Sequence, residues 1–235
     1  MLVLRPAAER GQFDHGWLLA KHSFSFGAYV DRAHMGFGVL RVINEDRIAP
    51  GQGFGMHGHR DMEIITWIIA GALVHRDSLG HGSTLRRGEV QRMSAGRGVQ
   101  HSEFNPSAQE ETHLLQIWIE PAVQSVAASY EQVAVPLAGQ AGRWLLIASP
   151  DGAEGSTTIH QDARLAVASL PAGQLLSASL APGRLGYVQL VRGQLRLNGQ
   201  KLVSGDGVRI HDELSLQFTA VDDCEVLFFD LPPHP

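Results

Sequence analysis

Short apolar runs, each closed by glycine, proline or a polar cluster, recur along the whole chain, and none has the three-to-four-residue spacing of an amphipathic helix. Leu2–Arg5 before Pro6, Met62–Ile69, Ala72–Arg76 and the stretches HLLQIWIEP and CEVLFFDLPP are rich in β-branched and aromatic residues and read as strands. GFGVLRVI, residues 36–43, reads as a further strand that stops at Asn44-Glu45-Asp46, where Asn and Asp offer turn chemistry. HSFSFGAYV from His22 has a period of two, which predicts a strand or extended arm with Phe24 and Phe26 on one face. Residues 121–142 lose this periodicity and gather Ala, Ser, Gln and Gly, so the connection between two units is expected near 133–142, with a second β-rich half from Trp144.

The second half echoes the first. IIAGALVHRD followed by LRRGEVQRM has a counterpart in LVRGQLRLNG followed by LVSGDGVRI, so that Gly193 stands for Gly71 and Gly205 for Gly88. The pattern predicts a duplicated all-β unit, with an amino-terminal domain over 1–132 and a carboxy-terminal one over 143–235.

Charge narrows the function classes. Nineteen basic against twenty-four acidic residues give a formal charge of -5, which argues against a protein that holds nucleic acid by neutralising phosphates. Arg86, Arg87, Arg92 and Arg97 read as a solvated face. Cys224 is the single cysteine, so neither an intramolecular disulfide nor a cysteine zinc site is available, and a reducing, cytoplasmic setting is expected. MLVLRPAAERGQ lacks the apolar core of a signal peptide, and no apolar run reaches the ~18 residues of a membrane span.

Between Gly51 and Asn105 the chain carries a His-x-His pair, His57 and His59, and later a His-x-Glu pair, His101 and Glu103. Residues two apart on a strand share a face, so each pair can aim both members at one point. Glu63, shortly after the first pair, is a competing carboxylate. His75 and His81 read as structural or exposed, and His113, at the start of a strand, is a candidate neighbour of the site. In the second half no His-x-His precedes Gly193, and His211 with Asp212 and Glu213 cannot supply four ligands. Imidazoles with a carboxylate and no thiolate suit first-row ions: Fe(II), Mn, Ni, Cu or Zn. Three such imidazoles and one carboxylate leave two octahedral positions open, as chemistry requires and a closed structural site does not.

The wording MHGHRDMEI, SAGRGVQHSEFNP and HLLQIWIEP resembles the pirin family of the cupin superfamily, in its bacterial, quercetin 2,3-dioxygenase type. The resemblance implies a bicupin of two tandem antiparallel jelly-roll barrels with few short helices. It makes His57, His59, His101 and Glu103 the metal ligands and puts Glu63 beside them, one step from the ion. It implies iron as the metal, a flavonol-like aromatic substrate with O2, and release of carbon monoxide, with Glu103 taking the substrate's proton. It also places some amino-terminal aromatic residues beside the substrate. The second barrel would carry no ligands, and the protein is expected to be a monomer. The contrasting implication, from animal pirins, is a non-catalytic metal- or redox-sensing regulator that binds a protein partner. A cupin isomerase is a third reading, because the fold hosts many chemistries.

Overall fold

The computed structural model describes residues 1–233 as two β-barrels, each a seven-stranded sheet facing a four-stranded one. In the first barrel the larger sheet runs Ser129–Ala134, Glu89–Ser94, Glu63–Ala70, Thr112–Ile119, Leu40–Ile48, Leu18–His22 and Gly11–Asp14. Its smaller sheet runs Gly53–His59, Val99–Phe104, Ala72–Asp77 and Gly82–Arg86. Among the described residues the only helical turns are Ala7–Glu9 and Ala153–Gly155, and no helix is long and apolar enough to cross a membrane.

The second barrel pairs Leu185–Arg192 with Cys224–Leu231 at its centre and closes with the sheet of Leu175–Ser179, Ser215–Ala220, Gln194–Leu197 and Gln200–Val203. The echo between the halves is geometric as well as verbal. Gly71 and Gly193 both have positive φ, 75° and 82°, in corresponding hairpin turns. A Cβ there would meet a backbone carbonyl, Glu111 O at 2.7 Å or Asp223 O at 2.5 Å, so both positions require glycine. The strand Leu2–Arg5 forms as expected, but it lies on the edge of the second barrel, Leu2 opposite Ile210 and Arg5 opposite Gly207.

Alternation along the strands divides each large sheet between two duties. In Glu63–Ala70, Ile65 and Trp67 belong to an apolar cluster shared with Leu165, Val167, Tyr187, Leu227 and Phe229 of the second barrel, so this face forms the junction. Ile64 and Ile68, one residue out of phase, face the first barrel's interior. Trp67 Nε1 also donates to buried Glu225 Oε1 across the junction, at 2.8 Å.

The interiors differ in kind. The second barrel is filled by one cluster that includes Leu190, Leu195, Leu197, Leu216, Phe218 and Phe228. The first holds two smaller clusters, one around Ile48, Ile68, Leu73 and Leu114, the other around Ile64, Met93 and Val99, with polar side chains between them. Glu103 Oε1, Asp46 Oδ1, Gln91 Nε2 and Thr66 Oγ1 are buried there without hydrogen-bond partners. Each such group costs about 1–3 kcal/mol, whereas a buried Leu or Phe contributes about 1.5–3 kcal/mol. The first barrel thus gives up stability where its duplicate gains it.

Two expected elements differ. Leu40–Ile48 runs straight through Asn44-Glu45-Asp46, so no turn forms there and residues 36–39 lie outside the strand. The polar residues fit a strand because each face gives them partners: Asn44 meets His22 and Glu45 meets Arg10 and His113. The period-two stretch after His22 is no strand either. The chain leaves Leu18–His22 and turns back through a Phe26–Tyr29 bridge, which sends Phe24 into the junction against Tyr187 and Phe26 toward Trp118.

Candidate metal centre

The Gly53–His59 and Val99–Phe104 strands lie side by side, with His101 opposite His57 and Glu103 opposite Phe54. Two residues on one strand therefore span three on the other, a β-bulge at Gly55 and Met56. Without it, Phe54 and His57 would point to opposite faces; with it, both line the same cavity. The bulge also supplies Gly55 O, 2.8 Å from His57 Nδ1, which leaves His57 Nε2 to face inward.

His57, His59 and His101 offer ring nitrogens that all lie within 4.8 Å of one another. His59 Nε2 and His101 Nε2 are 2.9 Å apart, close to the ~3 Å separating two nitrogens held ~2.1 Å from one octahedral ion. Facing lone pairs at that distance repel unless a cation or a shared proton lies between them. Glu103 is buried, its Oε2 accepting from Gln116 Nε2 at 2.9 Å and its Oε1 unpartnered. A buried carboxylate and a cluster of imidazoles whose nitrogens converge form a set that fits a divalent first-row ion. We propose His57, His59, His101 and Glu103 as its ligands.

Glu63 sits elsewhere. It shares the face of Ile65 and Trp67, and its oxygens accept from Ser94 Oγ at 2.6 Å and pair with His160 Nδ1 at 3.0 Å. It hydrogen-bonds none of the four ligand-type side chains and instead ties the two barrels together, because period two turns it away from the interior. His113 likewise faces outward, on Glu45 at 2.9 Å, and does not reach the site. His211 packs edge-on to Phe37. His75 is fully buried behind His101, and His81 is exposed.

The cavity above the histidines measures about 220 Å³ and is walled by Phe26, Phe54, Trp118, Asn44, Asp46 and Gln116. A second cavity of about 300 Å³, lined by Phe13, His15, Leu18 and His22, shares Phe26, Asn44, Asp46 and Phe54 with it. Asp46, Asn44 and Gln116 are site residues that sequence reasoning missed. Their signal was the unbroken period: Asn44, Asp46 and Ile48 alternate in phase, as do Leu114, Gln116 and Trp118. Burial, helped by the charges of Glu103 and Glu45, raises the Asp46 carboxyl to about 7, so near neutral pH it can donate or accept. Burial also raises Glu103, against the pull of Gln116, His57 and Gln91.

Burial, reinforced by His57, holds the His59 imidazole down at about 4, and burial with His57 and His59 holds His101 at about 2. Once unfolded, both would take up protons below about 6.5. Between these values the unfolded chain binds more protons at these two sites, so their contribution to stability rises with pH: it is full above about pH 6.5 and declines on acidification toward 4, against the opposite contributions of the raised Asp46 and Glu103 carboxyls. Urea titrations of metal-free protein should show the wild-type midpoint falling more steeply through this window than that of His59→Gln, which lacks one of the two imidazoles. Parallel midpoints in the two proteins from about pH 7 to 5 would contradict the assignment.

The Pirin family model matches residues 3–119, and the model for the quercetinase C-terminal cupin domain matches 146–231. A quercetin 2,3-dioxygenase of Escherichia coli K12 is 45% identical over 233 residues, covering 99% of this chain and 100% of that one. The crystal structure of YhhW from Escherichia coli superposes with a TM-score of 0.96 at 45% identity over 100% of both chains. That of bacterial pirin YhhW in complex with nickel(II) gives 0.95 at 44%, over 99% of this chain and 100% of the other.

Proposed function

We propose that this chain, which belongs to the pirin family of two-barrel cupins, is an iron-dependent dioxygenase that opens the heterocycle of a flavonol with O2 and releases carbon monoxide. The observation that carries the reading is the cluster of His57, His59 and His101 beside a cavity that Glu103 and the rings of Phe26, Phe54 and Trp118 help to line. A relative of this family carries nickel(II) in its crystal structure, so the choice of iron rests on the resemblance set out above and on the donor set, which accepts either metal.

When bound, the cation supplies Lewis acidity that favours the substrate's oxyanion and a meeting point for O2. The protein's own groups do the rest. Glu103, with Oε1 free and Oε2 held by Gln116, is placed to take the proton of the flavonol 3-hydroxyl. Phe26 and Trp118, with ring centroids 5.3 Å apart, and Phe54 give flat rings apolar walls and keep water from the reacting face. Asp46 and Asn44, at the waist between the two cavities, can hydrogen-bond phenolic hydroxyls on a ring that extends into the second.

Oxygen-electrode measurements with iron-reconstituted protein and quercetin should show one O2 consumed and one carbon monoxide released per flavonol lost. Metal-replete protein that takes up no oxygen with any flavonol, yet binds a protein partner in a single iron redox state, would replace this reading with the regulatory one.

A further inference from the structure

We propose that Asp77 and His75 form a hydrogen-bonded chain behind His101 that decides which of its ring nitrogens faces the metal cavity, making His75 and Asp77 positioning residues of the centre. The Ala72–Asp77 strand pairs with Val99–Phe104 on the side away from His57, with Asp77 opposite His101 and His75 opposite Glu103. His75 is thus the diagonal neighbour of His101 on the barrel's inner face. Its Nδ1 lies 3.4 Å from His101 Nδ1, and its Nε2 lies 3.3 Å from Asp77 Oδ2. Both side chains are fully buried.

These contacts permit one direction of donation. For His101 Nε2 to offer its lone pair toward His59, the proton must sit on His101 Nδ1, which then donates to His75 Nδ1. His75 must in turn carry its proton on Nε2 and give it to Asp77, whose carboxylate can only accept. Asp77 is itself held by the turn that follows: Leu79 N and His81 N donate to its Oδ1 at 2.9 and 3.0 Å, and His81 Nδ1 lies 2.9 Å from its Oδ2. Tyr130 stacks on His75 with centroids 4.8 Å apart and fixes the plane of the relaying ring.

The two fixed histidines are therefore unequal. His57 Nδ1 ends on a neutral carbonyl, Gly55 O, whereas His101 Nδ1 leads to a carboxylate. A chain ending in negative charge makes the attached imidazole the stronger donor to a cation. His75, His101 and Glu103 also form a group with ligand atoms within 4.8 Å of one another, so direct ligation by His75 is the rival that the test must separate.

The test uses full-length, ¹⁵N-histidine-labelled protein loaded with zinc, with tautomers read by long-range ¹H–¹⁵N correlation and zinc affinity by competition with a chelator. Wild type should show the Nδ1–H form of His101 and the Nε2–H form of His75. Asp77→Asn, which can turn its amide N–H toward His75, should disturb both forms and weaken zinc binding ~10- to 100-fold. His75→Leu should lose a similar factor, while His75→Gln, whose carbonyl can accept from His101, should recover most of it. A packing role would favour Leu over Gln and leave the His101 tautomer unchanged. Unaltered tautomer and affinity in Asp77→Asn and His75→Leu would overturn the proposal. So would a loss in His75→Gln as complete as in His57→Ala, which would put His75 on the ion.

Discussion

Replacing His57 and His59 together by alanine should take the metal content from one equivalent per chain to background, and flavonol-dependent O2 uptake should vanish with it. Both residues come from the bulged Gly53–His59 strand, and their loss leaves only His101 and Glu103 of the proposed four ligands. Four-ligand protein sites hold a divalent ion with roughly 10–16 kcal/mol, so removing half the donors costs several kcal/mol, on the order of a thousandfold or more in affinity. The fold should survive, because the two side chains are only partly buried and belong to neither apolar cluster of this barrel. Elemental analysis of the folded double variant decides the matter: a retained full equivalent would falsify the ligand set.

The two carboxylates should part company just as sharply. Glu103→Gln keeps the size of a group buried beside Gln116 but removes both the charge that faces the imidazoles and the base that takes the substrate's proton. Loss of a positioned base alone lowers turnover by about 10²–10⁴-fold, and metal affinity should drop with it. Glu63→Gln should leave metal content and turnover as they are. Its effect falls on the junction, where the contacts with Ser94 and His160 are weakened at about 1–3 kcal/mol of stability. Metal analysis and thermal melts of the two variants give opposite patterns under this assignment. A Glu63→Gln protein that loses its metal but melts normally would reverse the roles.

Much of this was legible because period two is a strong signal on a half-buried strand. His57 with His59 and His101 with Glu103 were readable as pairs, and the glycines at 71, 88, 193 and 205 exposed the duplication. What escaped did so for identifiable reasons. Asn44-Glu45-Asp46 looks like a turn only if polar residues are assumed to face water; here two of them line a polar interior and the third meets Arg10 and His113. Phe24 and Phe26 share a strand face on paper, but the chain bends at Ser23 and Phe24 and folds back after Phe26, a tertiary choice with no local mark. Glu63 lies close in sequence to the first histidine pair, and sequence distance concealed that the next strand turns it to the other side of the sheet. His75 carries no ligand spacing of its own, since its partner is across a strand pair.

The edge position of Leu2–Arg5 bears on how the protein is made. During synthesis these residues leave the ribosome well before the second barrel, yet Leu2 has no partner until Ile210 has emerged. The first barrel's own strands are complete once Ala134 has been added, so it can close while its leading segment still dangles. The second barrel must then capture that segment as it finishes, a ring closure across nearly the entire polypeptide and thus the slow, long-range step of assembly. Trimming Met1–Arg5 should accordingly leave the first barrel formed on time and delay or weaken the second.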